Sequence, residues 1–257
     1  MNSIKPSPTF AMVAKAAAMR AEGKDIVSLS AGEPDYDTPQ WIKEEAIEAM
    51  TKGQTKYTAI GGTADLKAAI AQKLKKDNGL TYSHAQIMAS TGGKQVIFNA
   101  LMATLNKGDE VIIPAPYWVS YPDIVSLFEG IPVFINCSIE NNFKMQAEQL
   151  AKAITPKTKW LILNSPSNPT GCVYNADELL SLAEVLRPNP HVTILTDDIY
   201  EYLVYDDTSF TNILNVAPDL AERTLVVNGV SKAYSMTGWR IGYGAGPSHL
   251  INAMTNL

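Results

Sequence analysis

The sequence predicts an α/β fold, a mostly parallel seven-stranded sheet covered by helices. Three observations carry this. Seven short apolar runs recur along the chain, and most are continuous rather than alternating, as in strands buried on both faces. Between several of them lie segments of helical period, long enough to serve as crossovers between parallel strands. The 257 residues, 46% hydrophobic and 18% charged, suit one large domain or one and a half smaller ones and are too apolar for disorder.

Taken in order, Thr38-Pro39 reads as a helix start, an N-cap hydroxyl followed by proline at the first helical position. Trp41, Ile42, Ile47 and Met50 follow at roughly helical spacing, and Gly53 stops the run. Thr63 opens a second helix in which Leu66, Ile70 and Leu74 recur every four residues with lysines between them; Asn78-Gly79 ends it. Strands are predicted at 87–91, 110–113, 132–136, 159–163, 192–196, 224–228 and 240–245, with helices at 94–105, 118–128, 145–153 and 176–187.

Composition excludes several function classes. Twenty-one Lys+Arg against 26 Asp+Glu give a net charge of -5 with no basic block, which argues against nucleic acid as a partner. Two cysteines, Cys137 and Cys172, exclude a disulfide scaffold and suit a reducing, cytoplasmic setting. The longest apolar stretch, 111–119, holds two prolines and is far too short to span a membrane, and no apolar run precedes Pro6 and Pro8 as a signal peptide would require. His84, His191 and His249 lie far apart, so no His-rich metal site is expected.

In such sheets ligands bind beyond the carboxyl ends of the strands, so the loops there should carry the chemistry. T-G-G-K-Q at 91–95 opens a helix, and is either a cradle for an anion or a plain strand–helix turn; it lacks the spacing of a P-loop. In 114–122, Tyr117 and Trp118 either stack on a flat ring or pack in the core. The loop 164–171, N-S-P-S-N-P-T-G, is rigid enough to present the Asn168 amide to a ligand. In T-D-D-I-Y, 196–200, two acids end an apolar strand. Asp197 or Asp198 should meet a cation or a protonated ring nitrogen, and the other can cap a helix. Lys232, just past a buried strand, is partly desolvated and therefore a candidate amine nucleophile, and Arg240 can fork onto a phosphate. An anion cradle, a stacking aromatic, an amide, a buried acid, a lysine and an arginine together suit one cofactor, pyridoxal 5'-phosphate.

The segment G-V-S-K-A-Y-S-M-T-G-W-R-I-G, 229–242, resembles the lysine signature of the class I aminotransferases, which are fold type I pyridoxal-phosphate enzymes. S-A-G-E-P-D (30–35), K-Y-T (56–58), G-G-K-Q (92–95), P-Y-W-V-S-Y (116–121), N-P-T-G (168–171) and D-x-I-Y (197–200) follow the family's order, so the resemblance covers essentially the whole chain. It is greatest to the bacterial type of aspartate aminotransferase. The resemblance implies a Schiff-base role for Lys232 and pairing of Asp197 with the pyridine nitrogen. It implies donors to the phenolic oxygen in Tyr200 and Asn168, and stacking by Trp118. The phosphate ligands would be the Gly93 and Lys94 amides, Ser231 and Arg240. Tyr57 would reach the phosphate of a neighbouring subunit, implying a homodimer, and Gly32 would meet the substrate's α-carboxylate. The Lys94 side chain and Thr9 would favour an acidic substrate.

The implied activity is ping-pong transfer of an amino group from aspartate to 2-oxoglutarate. The alternatives are aromatic, prephenate or β-lyase specificity on the same fold, or an inactive fragment that only binds the cofactor. The family continues well beyond residue 257, so the expected organisation is an N-terminal arm and part of a small domain (1–40), a cofactor-binding large domain (41–245) and the start of an interdomain helix (246–257). The α-carboxylate arginine then has no counterpart in this chain.

Overall fold

The computed structural model describes residues 8–29 and 31–257, and of Pro8 and Phe10 only the backbone; residues 1–7 and Ser30 of the S-A-G-E-P-D motif lie outside the described residues. All seven predicted strands form: β1 Ile87–Ser90, β2 Glu110–Ala115, β3 Ile131–Asn136, β4 Thr158–Asn164, β5 Thr193–Asp197, β6 Thr224–Gly229 and β7 Gly242–Ala245. They make one sheet in the order β1-β7-β6-β5-β4-β2-β3. β7 pairs antiparallel with both β1 and β6, and every other pair is parallel. The last strand is shorter than predicted because Arg240 sits at φ 56, a left-handed turn that a strand cannot continue.

The pleat explains why the central strands carry unbroken apolar runs. On β4, Leu161 and Leu163 face one core, while Trp160 and Ile162 face the other. The first core is closed by α3 Ala64–Asn78, α6 Ala147–Ala153, α7 Ala176–Leu186 and α8 Ile213–Val216, through Ile70, Leu74, Leu150, Leu179, Leu182 and Ile213. The second is closed by α4 Gly93–Thr104, α5 Ser120–Leu127 and α9 Ser248–Thr255, through Val96, Ile97, Tyr121, Ile124, Ile251 and Met254. Trp160 is fully buried and satisfies its indole N–H with Thr104 Oγ1 at 2.9 Å.

The helix boundaries follow local chemistry. Thr63 Oγ1 accepts from Leu66 N at 3.2 Å at the start of α3, and Gly79 ends it at φ 69. Asn175 and Glu178 open α7 with a reciprocal capping box. The helix expected to begin at Thr38 is α2 Gln40–Thr51, with Pro39 in the N-cap position and no side-chain cap. Thr38 is not its cap, because its hydroxyl is engaged elsewhere: it donates to Ser235 O at 2.6 Å. No residue of α2 is buried, and Trp41, Ile47 and Met50 are all exposed. At the N-terminus α1 spans Pro8–Ala21. Residues 248–255, within the stretch expected to start an interdomain helix, are α9, whose apolar face is seated against α4. Among the described residues no helix is long and apolar enough to cross a membrane.

Candidate active site

β1, β2, β4, β5 and β6 point one way, so the loops that follow them leave one rim of the sheet. β7 runs against them and therefore brings its amino end, preceded by Arg240, to that same rim. The glycine-rich turn at 91–93 opens α4 there. Gly92 sits at φ 82, and the first amides of the helix, Gly93 and Lys94, have no intrahelical acceptors. Arg240 donates from Nη1 to Thr237 O at 2.8 Å and lays Nη2 so close over Gly92 that a Cβ there would overlap it. A Cβ on Gly242 would overlap the Gly92–Gly93 backbone. Lacking these two Cβ atoms, the chain brings a guanidinium and a helix N-terminus together, an arrangement that suits an anion. Ser231, two residues past β6, is buried, and its carbonyl accepts from Met236 N at 3.0 Å.

Asp197 is the last residue of β5 and only 6% exposed. Its Oδ2 accepts from the Tyr121 hydroxyl at 2.7 Å, and Ile199 N approaches Oδ1 at 3.4 Å. Burial pushes the carboxyl up to about 6, with these two donors opposing the shift. Asp198 is not a helix cap, since no helix follows it before residue 213. It is held instead by Thr196 Oγ1 at 2.5 Å and Asn212 Nδ2 at 2.6 Å, and burial raises it to about 7. The β4 loop is tied to β5 by Asn164, whose Nδ2 donates to Asp197 O at 2.8 Å and whose Oδ1 accepts from Asn168 N at 2.7 Å. Asn168 lies against Tyr200. Burial and Asp197 raise that phenol, and the Asn168 amide opposes them.

Trp118 meets Tyr121 edge-on at 5.3 Å, and Lys94 Nζ stands 4.8 Å from the Trp118 ring centroid while its side chain stays accessible to solvent. Tyr117 stacks on Phe134 at 5.0 Å. Lys232 is half-buried. Its Nζ donates to Gly32 O at 2.5 Å and lies 5.8 Å from the Tyr200 ring centroid. Desolvation lowers its pKa and the Arg240 charge adds to this, while Glu33 opposes it. Residues 31–38 are fastened over this loop: Thr237 Oγ1 bonds Glu33, and Trp239 Nε1 donates to Thr38 Oγ1 at 3.0 Å. A cleft of about 700 Å³ lies between this strap and residues 235–239.

Ten expected residues thus gather on the rim: Gly32, Gly93, Lys94, Trp118, Asn168, Asp197, Tyr200, Ser231, Lys232 and Arg240. Two do not join them. Tyr57 is fully exposed, and Thr9 lies in the first turn of α1, where its side chain makes no hydrogen bond to another described residue. Two residues at the rim were not anticipated, Tyr121 and Asn164. A buried carboxylate demands a donor, and the tyrosine three residues beyond Trp118 was the signal available for the first.

A profile of the class I and II aminotransferases matches residues 24–257. This chain belongs to that family. A probable aspartate/prephenate aminotransferase of Rickettsia felis is 60% identical over 99% of the chain and 62% of the relative. The solved aspartate aminotransferase of Rhizobium meliloti superposes with a TM-score of 0.95 at 53% identity, over 99% of this chain and 64% of that one. The Thermus thermophilus aspartate aminotransferase solved with maleate does so with a TM-score of 0.95 at 43% identity, over 99% and 65%. The chain therefore spans just under two thirds of the length of these relatives. Class I and II aminotransferases use pyridoxal phosphate, and the rim of this member offers groups that suit it: anion donors, a buried carboxyl, an aromatic ring and an amine.

Proposed function

We propose that this chain carries the cofactor site of a pyridoxal-phosphate-dependent aminotransferase that moves an amino group between aspartate and 2-oxoglutarate. The observation that supports it best is the convergence on one rim of a partly desolvated amine, Lys232, a buried carboxyl, Asp197, and the Arg240–Gly92–Gly93 turn. When bound, pyridoxal phosphate supplies an aldehyde that condenses with amines and a ring that draws electrons from the adjoining carbon. The Gly93 and Lys94 amides, Ser231 and Arg240 hold the phosphate. Asp197 keeps a proton on the ring nitrogen, and Tyr121 orients that carboxylate. Trp118 covers one face of the ring, while Tyr200 and Asn168 donate to its phenolic oxygen. Lys232 would be the amine that holds the group and the base that moves the proton at the substrate's α-carbon; its lowered pKa leaves a larger share of it neutral for both tasks. Gly32, already within reach of Lys232, meets the α-carboxylate. Tyr57, pointing into solvent, serves the phosphate site of a second copy in a homodimer.

The distal carboxylate of the substrate is met by Lys94, whose ammonium is poised over Trp118, with Thr9 brought in by the N-terminal segment. The maleate named for the Thermus structure, a four-carbon dicarboxylate, agrees with this reading. Prephenate is a second acceptor favoured by the names of the relatives. The test is borohydride reduction of the chain after incubation with pyridoxal phosphate, followed by peptide mapping. A single stable adduct on Lys232 is expected, and labelling scattered over surface lysines would overturn the reading. Amino transfer from aspartate to 2-oxoglutarate and to prephenate, followed separately, then ranks the acceptors.

A further inference from the structure

Behind the rim, on the α3 side of the sheet, lies a buried charged cluster that the proposed chemistry does not use. Its centre is Glu201, with a side chain 4% exposed. Three side chains donate to its carboxylate. Lys73 of α3 forms an ion pair with Oε1, Asn228 Nδ2 reaches the same oxygen at 2.8 Å, and Asn78 Nδ2 reaches Oε2 at 2.6 Å. Lys73 also donates to Asn78 Oδ1 at 2.7 Å, and Asn215 of α8 donates to Asn78 O at 2.7 Å, so the cluster is closed on itself. A buried carboxylate with its lone pairs satisfied from three directions holds its geometry tightly, because losing any one donor exposes a charge to an apolar interior.

The connections matter more than the cluster. Glu201 adjoins Tyr200 and is drawn back by a turn in which Glu201 N donates to Asp198 O at 2.9 Å. Asn228 belongs to β6, and its Oδ1 accepts from Gly229 N at 2.7 Å, fixing the backbone where the chain leaves the strand for Lys232. There is no slack at that point: a Cβ on Gly229 would lie 2.8 Å from Ile241 O. Glu201 therefore fastens the loop bearing Tyr200 to the loop bearing Lys232.

We propose that Glu201, with Lys73 as its counter-ion and Asn228 as its link to β6, is a positioning residue that sets the spacing between the Tyr200 phenol and the Lys232 amine. This rests on the functional reading above, since the spacing matters only if both groups address one cofactor.

The test uses the chain loaded with pyridoxal phosphate and reads the absorbance of the Lys232-linked cofactor against pH, together with the melting temperature. The wild type is first checked for the borohydride-stable adduct on Lys232; without it the functional reading fails, and this proposal with it. With the adduct present, Glu201→Gln is expected to shift the titration midpoint by half a pH unit or more and to weaken cofactor binding about tenfold. Asn228→Ala keeps every charge and removes both the link from Glu201 to β6 and the acceptor of Gly229 N. It is expected to shift the midpoint in the same direction, and it decides the matter if Glu201→Gln does not fold. A purely structural cluster would lower the melting temperature of both variants while leaving the midpoint and cofactor affinity of the folded fraction unchanged, and that result would overturn the proposal.

Discussion

A carboxyl at the end of a fully buried strand has few ways to stay ionised. Asp197 has a phenol and a distant amide as donors and no cation among the described residues, and burial raises its pKa to about 6. A protonated ring nitrogen is the partner that would complete it. Replacing it with asparagine keeps the size and the bond from Tyr121 but removes the charge. Breaking a buried pair of this kind costs about 3 kcal/mol, so Asp197→Asn should weaken pyridoxal phosphate binding about 100-fold, measured by absorbance titration. An unchanged affinity would mean that Asp197 does not face the ring. Legibility at this scale was uneven for a physical reason. Lys232, Asp197, Asn168 and Arg240 stand at strand ends or in Pro/Gly-rich turns, where a functional side chain is out of keeping with its neighbours. Tyr121 falls within an apolar helical pattern and reads as core, which in part it is. Lys73 and Asn78, both on α3, are separated from Glu201 and Asn228 by long stretches of chain, and only the fold brings the two pairs together.

The central strands were legible because both faces are buried: runs such as W-L-I-L and L-V-V admit almost no polar residue, so the pattern survives without an alignment, whereas the edge strand β3 is apolar although Ile131 and Phe134 are exposed. The start of α2 was displaced because Thr38 had two possible uses, and the loop at 235–239 offered an acceptor and a donor that a local reading of T-P could not include. Close crossings were equally invisible. Where β7 begins, Gly242 lies directly on the Gly92–Gly93 backbone. Any side chain there must push β7 away from the start of α4, moving Arg240 with it. Gly242→Ala is expected to destabilise the chain by about 1–3 kcal/mol in a denaturant titration. The same shift should loosen phosphate binding. Gly238, whose added Cβ would meet open space, is the control and should tolerate alanine with little change.

For the molecule as a whole, two adjoining buried acids govern the response to mild acid. Asp197 and Asp198 have folded pKa values raised from 3.8 to about 6 and about 7, burial being the main cause. From about pH 4 to about pH 7 the unfolded chain has released these protons while the folded chain still holds them. The unfolded state then binds fewer protons, so stability must fall as pH rises through that window. Cofactor-free protein should therefore unfold at lower denaturant at pH 7 than at pH 5, and pyridoxal phosphate should offset part of the difference by meeting Asp197. A cofactor-free stability that climbs steadily from pH 5 to pH 7 would contradict the assignment. The sheet order has a further consequence, in the time domain of synthesis. β1 is hydrogen-bonded in the sheet only to β7, so a strand translated before residue 91 has no strand partner until residue 245 has emerged. At ordinary elongation rates that wait lasts roughly 10–30 s. During it β2 to β6 can assemble as a parallel block, while the start of α4 stays parted from Gly242 and Arg240. The turn at 91–93 is then among the last parts of a nascent chain to close, and a ribosome-bound intermediate lacking β7 should hold phosphate more weakly than the finished chain.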